Sequence, residues 1–412
     1  EIGSGLVGSE MCIRDRLSGS VDLSKSTIYM SQGKYVMSEE SGLGVIVRKN
    51  VKAIKGGYSQ FSEGTDVSAR DIDTYVTVIS GDVNGNKQAD AGDCGLLLVK
   101  KGHITIEGVT FQYGYVSEAD ASTTECGSGI YVSGGAGDTS IELTDCVIRD
   151  CTSGVTTSAK QGGPAVFVLS GQVRLNNVNL LDNTAVGRGG AVRCNSKTAV
   201  VFMNGCLLKG NSHNGSWGNG IQMSEGHICI NNTTLIDNMG TGAALNGGGS
   251  ILLTNNTIIG NTSDSHGAVR CETGVGGDTK FINNLLLSEN PSAPSFNLNG
   301  SNFEAFSKGY NVYQRVTGIT MSASDTAYPN PVNGTLDEKG VYVWDLNQIG
   351  SVKGYATKQA VIEVAKSFNP VASPIANLGE VFVEWVGEDA FGIDQREVTR
   401  NANKMQAGAY DA

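Results

Sequence analysis

Short alternations of apolar and polar residues, separated by Gly, Asn and Asp, run through the middle of the chain. Between residues 107 and 290, seven eight-residue blocks align without gaps, and their fifth position is always large and apolar. The blocks are EGVTFQYG (107–114), TDCVIRDC (144–151), NNVNLLDN (176–183), NGCLLKGN (204–211), NNTTLIDN (231–238), TNNTIIGN (254–261) and NNLLLSEN (283–290). Five of the seven end in Asn: Asn183, Asn211, Asn238, Asn261 and Asn290. The chain is therefore predicted to be a repeat protein.

Two more short strands precede each block. An alternating strand stands directly before it, as in HITI (103–106), SIEL (140–143), QVRL (172–175), AVVF (199–202), HICI (227–230), SILL (250–253) and DTKF (278–281). About ten residues further upstream comes another strand, such as GIYV, PAVFV, GIQM or GAVRC. No helical period appears in this region, so each repeat is predicted to hold three short strands joined by turns.

A repeat of this size cannot bury its own apolar face. Stacked on copies of itself at about 4.8 Å per rung, it buries a continuous core and pairs each strand with the rungs above and below. The predicted fold is therefore all-β, a single right-handed parallel β-helix with a C-terminal cap. Asn at a fixed turn position fits this fold, since Asn tolerates the left-handed conformation and its amide can bond its neighbours in a ladder.

These repeats resemble a known family. The G-G-A-[ILV] element at 189–192 and the apolar-x-x-Asn ends of the blocks resemble the paired repeats of chlamydial polymorphic outer-membrane proteins and of β-helix proteins that Bacteroidetes secrete or display. The C-terminal D-A-F-G…R…GAYD, with Asp389, Gly392, Arg396 and 408–411, is similar to the closing segment of surface β-helix proteins with a variable anchor, although Gln406 and Ala407 replace its usual Asp. The resemblance implies a β-helix on a bacterial surface or outside the cell.

The ends of the chain depart from the repeat. Residues 6–16, LVGSEMCIRDR, look like translated sequencing adapter, so residues 1–16 are expected to be non-native and a signal peptide to have been lost upstream. Residues 17–95 are predicted to form N-terminal rungs and their cover, 96–300 the regular repeats, and 301–412 the last rungs and a cap. Within that cap, 357–368 places apolar residues on one face of a short amphipathic helix.

Composition narrows the class of function. Gly is 56 of 412 residues, and the formal charge is −11 without a basic stripe, which argues against nucleic-acid binding. No apolar stretch is long enough to span a bilayer. The nine Cys and four His show no metal-ligand spacing. A monomer that contacts polysaccharide or a cell-surface glycan is the expected class of protein.

The string GAVRC occurs twice, at 190–194 and 267–271. Because alternate residues of a strand face opposite sides, Val192 and Cys194 are predicted to point inward and the arginines outward, three rungs apart. The outward ladder is a candidate glycan-binding face: Tyr131, Phe167, Arg193, Gln222 and Arg270. The alternative is that the long inserts at 115–126 and 152–162 cover this ladder.

Two sets of acidic residues offer other chemistry. Asp82, Asn84, Asn86, Asp90 and Asp93 follow calcium-loop spacing, although Lys87 replaces the usual Gly and Asp the final Glu. The loop is a candidate calcium site or a polar surface turn. Asp150, Asp182, Asp237 and Glu289 share the seventh block position, where Asp also serves turns, so a catalytic carboxylate cluster is the less favoured reading.

The cysteines and the function each leave alternatives. Cys146, Cys194, Cys206, Cys229 and Cys271 are predicted to point inward and pack as small apolar residues. Cys94 and Cys126 precede neighbouring first strands and could form a disulfide.

The first functional hypothesis is an adhesin or glycan-binding scaffold. The alternative is a polysaccharide-active enzyme, a pectate-lyase-like lyase or a glycoside hydrolase, on the outer face of the coil.

Overall fold

A computed structural model gives the arrangement of the repeats. It describes residues 27–37, 45–47, 51–60, 66–122, 127–135, 137–156, 161–215, 217–262, 266–272, 278–288, 293, 295–299, 304–317, 321–328, 334–337, 342–344, 348 and 352–408. The adapter-like segment, Cys126 and Glu289 lie outside these residues.

Three long parallel sheets form the molecule, and every rung contributes its strands in the order first, second, third sheet. The first sheet has strands β3 (Val45–Val47), β6 (Leu97–Val99), β10 (Ile130–Val132), β14 (Val166–Val168), β18 (Val192–Cys194), β22 (Ile221–Met223), β25 (Leu245–Gly247), β28 (Val269–Glu272), β31 (Phe296–Asn299) and β34 (Val316–Thr317). The second sheet has β1 (Thr27–Ser31), β4 (Ala53–Tyr58), β7 (Gly102–Glu107), β11 (Thr139–Thr144), β15 (Gly171–Asn176), β19 (Ala199–Asn204), β23 (His227–Asn231), β26 (Ser250–Thr254), β29 (Asp278–Ile282) and β32 (Glu304–Ser307). The third sheet has β2 (Gly33–Val36), β5 (Thr77–Ser80), β8 (Val109–Gln112), β12 (Val147–Arg149), β16 (Asn179–Leu181), β20 (Leu207–Lys209), β24 (Thr234–Ile236), β27 (Thr257–Ile259), β30 (Leu285–Leu286), β33 (Val312–Tyr313) and β35 (Thr326–Ala327).

This arrangement confirms the predicted parallel β-helix. Crossover connections between parallel strands of one sheet are almost always right-handed, which sets the hand of the coil. Val192, Cys194, Val269 and Cys271 point into the core, as predicted from the GAVRC repeat. Register pairing runs from Arg193 through two intervening rungs to Arg270, which confirms the predicted separation of three rungs.

Four rungs carry an additional short strand that the sequence pattern did not predict. These strands form a fourth sheet after the third-sheet turn: β9 (Tyr115–Val116), β13 (Thr152–Ser153), β17 (Thr184–Ala185) and β21 (Ser212–His213). Helix α1 (Glu118–Ser122) follows the first of them, and an antiparallel pair, β36 (Gly334–Leu336) and β37 (Tyr342–Trp344), follows the last rungs.

The predicted asparagine ladder is present at the ends of the blocks. Asn211 Nδ2 donates to Asn238 Oδ1 over 2.8 Å and to the Leu180 carbonyl of the preceding rung over 2.9 Å. Asn183 and Asn238 repeat this pattern with their own next neighbours. The residue before the ladder Asn is left-handed, with φ of 54° at Asp182 and Asp237, and Asp150 has the same φ before Cys151. These aspartates therefore serve the turn. The left-handed conformation expected of Asn occurs at the second block position instead, in Asn177, Asn232, Asn255 and Asn283.

The alignment of the last block was wrong by one residue. Ile258 pairs with Leu286, and Asn255 Oδ1 accepts from Asn283 Nδ2 at 2.9 Å. The seventh block therefore begins at Ile282, and Asn290 is not equivalent to Asn261. Two adjacent asparagines, 283 and 284, made both registers compatible with the pattern of Asn residues alone.

The C-terminal residues 352–408, here called the clasp, lie along the side of the coil. The clasp contains the predicted helix, α2 (Lys358–Lys366), a second helix, α3 (Leu378–Val386), and a 3₁₀ helix (Glu388–Gly392). Its buried residues, among them Val361, Phe382 and Phe391, pack on the outer face of β19, β23, β26 and β29. The helices thus contact the side of the second sheet, whereas a position over the last rung was expected.

Candidate functional site

The five residues predicted as a binding face do lie on one ladder of the first sheet. Tyr131, Phe167, Arg193 and Gln222 pair in register on successive rungs, and Asn246 separates Gln222 from Arg270. Their burial differs from that of a solvent-facing ladder. Tyr131 is 3% exposed, Phe167 is fully buried, and Arg193 and Gln222 are 8% and 6% exposed.

The inserts after the third sheet provide this cover. Val116 of β9 and Val155 pack in one apolar cluster with Tyr131 and Phe167. The aromatic faces that a sugar would stack on are therefore in contact with the protein itself. The ladder is thus covered, as in the alternative expectation that the long inserts lie over it.

The two arginines of the GAVRC repeats hold neighbouring loops. Arg193 donates to the Gln161 carbonyl, to Asn195 Oδ1 at 3.1 Å and to Ser224 Oγ at 3.3 Å, and its guanidinium lies 5.8 Å from the centre of the Phe167 ring. Arg270 lies 5.5 Å from the centre of the Trp217 ring. Both side chains thus contribute to the cover, and glycan binding by this ladder stays a prediction.

The candidate calcium loop is closed by its own hydrogen bonds. Asp82 Oδ2 pairs with Lys34 Nζ at 2.8 Å, and Asp93 Oδ1 and Oδ2 accept from the Val83 and Asp90 amides at 2.9 and 3.1 Å. Asn84 and Asn86 both donate to the Asp90 carboxylate, at 2.9 and 2.7 Å. The carboxylate oxygens that would bind calcium thus already accept hydrogen bonds from N–H groups of the protein, as in a polar surface turn. Calcium binding stays a prediction. Within the described residues, no group of three or more His, Cys, Asp and Glu is placed to hold a metal ion.

Of the cysteines that the structure describes, all but Cys229 face the core. Burial raises the pKa of the Cys146, Cys194 and Cys206 thiols to about 12. Cys229 was predicted to point inward and instead lies on the outer side of the second sheet, where it packs with Phe202 and Leu252 beneath the clasp. The Cys94–Cys126 disulfide stays a prediction, since Cys126 lies outside the described residues.

A polar cavity of about 410 Å³, here called the cleft, opens on the outer face of the second sheet. Its lining comes from β7, β11 and β15 and from the residue directly before β4: Lys52, His103, Ile104, Thr105, Ser140, Glu142, Gln172 and Arg174. This volume lies within the usual range of small-ligand sites. His103 Nδ1 and Ser140 Oγ are 2.6 Å apart, and Arg174 Nη1 lies 4.0 Å from Glu142 Oε2.

Arg174 is a partly exposed cation of the cleft whose terminal nitrogens make only long contacts. Its Nη2 lies 3.4 Å from Gln172 Oε1, and its Nη1 lies 4.0 Å from Glu142 Oε2. Its Nε finds no acceptor among the residues that the structure describes, but this atom is buried and does not open to the cleft. The terminal N–H groups are therefore the donors available to an anionic or hydroxyl-bearing ligand. Lys52 adds a second cation, against the single carboxylate of Glu142.

The clasp places the Trp385 indole at one side of the cleft. Trp385 Nε1 donates to Glu142 Oε1 at 3.1 Å, and the Trp385 ring lies 5.8 Å from that of Phe202. Phe202 pairs in register with Arg174, whose guanidinium lies 5.7 Å from the centre of the Phe202 ring.

The sequence contained a signal for this cleft. HITI, SIEL and QVRL carry polar residues at both outward positions, whereas the second outward position of AVVF, HICI and SILL is apolar, with Phe202, Cys229 and Leu252. Apolar residues on an outward position indicate a covered strand, so the change at AVVF marks where the uncovered part of the sheet ends. The candidate face was instead sought on the first sheet.

One carboxylate is too few for the hydrolase alternative within this cleft. Glycoside hydrolysis ordinarily needs two carboxyl groups about 5–9.5 Å apart. Glu107, on the same face of β7, is paired with Lys55 at 3.0 Å and Arg70 at 3.1 Å. The cleft is therefore better suited to binding than to hydrolysis.

Comparison with known proteins identifies the family. Among the described residues, no helix has the length and apolarity needed to cross a membrane. No curated protein and no solved structure matches the chain. The family described as right handed beta helix region matches residues 72–286, which is just over half of the 412 residues. The chain therefore belongs to the right-handed β-helix family.

Proposed function

We propose that this chain is a bacterial β-solenoid, secreted or displayed at the cell surface, that binds an acidic glycan in the cleft of the second sheet. The observation that carries the proposal is Arg174, a partly exposed cation whose terminal nitrogens make only long contacts, beside Gln172, Ser140 and His103. Side chains that recur at the rung spacing of about 4.8 Å suit a ligand that is itself an extended polymer.

Charge supports an acidic ligand over a neutral one. The chain has a formal charge of −11, yet the cleft brings together Lys52 and Arg174 with only one carboxylate. Uronic acid units carry a carboxylate for the guanidinium and hydroxyl groups for the neutral side chains. Charge-assisted hydrogen bonds of this kind are the stronger class.

Binding of polygalacturonate by titration calorimetry tests the proposal, with neutral dextran as the comparison. Arg174→Ala is expected to weaken binding about 10- to 100-fold, because a hydrogen bond to a charged group contributes about 1.5–3 kcal/mol. Arg149→Ala is the matched control, since Arg149 is more exposed and lies on the third sheet. Equal binding by both variants would overturn the assignment of the cleft. New unsaturated or reducing ends would indicate the enzyme alternative instead.

The location outside the cell has an independent test. Burial keeps the thiols of Cys146, Cys151 and Cys206 protonated, which is compatible with an oxidising compartment. In a culture that expresses the native gene, the chain is expected in the medium or among the peptides that protease treatment of intact cells releases. Its recovery only after lysis would contradict a location outside the cell.

A further inference from the structure

The cleft extends across the rungs of the coil. Two outward positions from each of β7, β11 and β15 line it, and these strands are direct neighbours in the second sheet. Three rungs at about 4.8 Å place its outer rungs about 10 Å apart, whereas two outward positions on one strand are about 7 Å apart. A polymer that uses side chains from all three rungs therefore runs along the axis of the coil.

The clasp closes this path at the next rung. Phe202 of β19 continues the line of Glu142 and Arg174, but it is only 1% exposed. Phe382 and Trp385 of α3 lie over it, with ring centres 5.2 and 5.8 Å from that of Phe202. Cys229 and Leu252, on the two rungs that follow, are fully buried under the same segment. A chain that lies along the cleft thus meets the clasp immediately after Arg174.

Trp385 also holds a polar group one rung before Arg174. Its indole N–H donates to Glu142 while its ring packs on Phe202, so one side chain joins the clasp to the side of the cleft. The Arg174 guanidinium lies next to both Glu142 and the Phe202 ring, at the closed side. The strongest donor in the cleft therefore stands where a ligand chain has to stop.

We infer that the cleft binds the terminus of a glycan chain and excludes its internal stretches. Arg174 binds the terminal unit, and Trp385 blocks any further extension of the glycan along the coil. This inference rests on the proposed glycan-binding function of the cleft. It differs from that function in its consequence, because each glycan chain then offers a fixed number of sites whatever its length.

Calorimetric stoichiometry with short and long fractions of polygalacturonate tests the inference. The expected result is one protein molecule per chain for both fractions. A number of proteins per chain that rises with chain length would overturn the inference while leaving glycan binding in place. Absence of binding to either fraction would overturn the proposed function and this inference with it.

Trp385 variants provide a second readout. Trp385→Ala removes the ring that reaches from the clasp to Glu142 while Phe382 stays over Phe202, and it is expected to raise the number of proteins bound per long chain above one. Trp385→Phe keeps a ring over Phe202 and is expected to retain one protein per chain. An unchanged stoichiometry in a folded Trp385→Ala protein would contradict the role of Trp385, and the stoichiometry of the wild-type protein stays decisive if that variant does not fold.

Discussion

Arg400 Nη2 donates to Asn232 Oδ1 over 2.9 Å, which joins the clasp to a turn of the coil 168 residues earlier. The same nitrogen donates to the Gly408 carbonyl at 2.9 Å, and Arg400 is only 3% exposed. Gln395 adds contacts nearby, accepting from Thr234 Oγ1 at 2.7 Å and donating to the Cys206 carbonyl at 2.8 Å. Polar anchors thus fix the clasp in one position on its apolar contact.

Arg400→Ala is expected to loosen the clasp. It leaves Asn232 and the Gly408 carbonyl without their donor, at about 1–3 kcal/mol for each unsatisfied buried group. Hydrogen exchange followed by mass spectrometry is expected to show faster exchange in 352–408 and unchanged exchange in the rungs at 127–156. Asn403→Ala, at an exposed position of the clasp, is the control. Uniform exchange changes along the coil would contradict a separately anchored clasp.

The asparagine ladder is expected to be a main source of stability. Asn211→Ala removes an acceptor for the Asn183 amide and a donor to Asn238, so the free energy of unfolding in urea is expected to fall by about 2–4 kcal/mol. The exposed Asn214→Ala is expected to change it by less than about 0.5 kcal/mol. Equal effects of the two substitutions would contradict a structural role for the ladder.

The buried thiols are expected to be unreactive in the folded protein. Burial raises the pKa of Cys146, Cys151, Cys194 and Cys206 to about 12, and alkylation requires the thiolate. Peptide mass spectrometry after iodoacetamide treatment near neutral pH is expected to show these four unmodified, and all four modified in guanidinium chloride. Rapid labelling of any of them in the native protein would show that the core opens.

Acidification is expected to destabilise the chain through His227. Burial lowers the pKa of His227 below its ordinary value of 6.5, and backbone groups of Ala372 and Lys197 offset only part of this effect. The unfolded chain therefore binds the proton first. Stability is complete above pH 6.5 and is lost as the pH falls through the lower pKa of the folded state.

His227→Gln is expected to make unfolding in urea less dependent on pH between about 7.5 and 5.5 than in the wild-type protein. Some dependence is expected to remain, because burial also lowers the pKa of His213. If the unfolding free energy of the variant depended on pH as strongly as that of the wild-type protein, His227 would not be a source of the pH dependence.

Local periodicity was enough to predict the coil, its three strands per rung and the inward positions of Val192 and Cys194. Each of these depends on alternation within a strand and on pairing between adjacent repeats. The register of the last block was missed because neighbouring asparagines allow two alignments, and only the burial of Leu286 in the core distinguishes them.

The exposed surface could not be predicted in the same way. Whether an outward residue meets solvent depends on segments that dock from elsewhere, such as β9 over Tyr131 or the clasp over Cys229. Phe202 and Leu252 did signal a cover by being apolar on an outer face, but the pattern did not identify the covering segment. The alternation of polar and apolar residues predicted that His103, Ser140 and Arg174 face outward. They form a site only because the rungs that carry them stack next to one another.

A crystal structure of the protein with a short oligogalacturonate tests the central claim most directly. The account predicts the ligand in the cleft, with a carboxylate on the Arg174 guanidinium, hydroxyl groups near His103 and Ser140, and its terminus against Trp385. A ligand bound to the first-sheet ladder, or one that displaces the clasp and runs across Phe202, would contradict it.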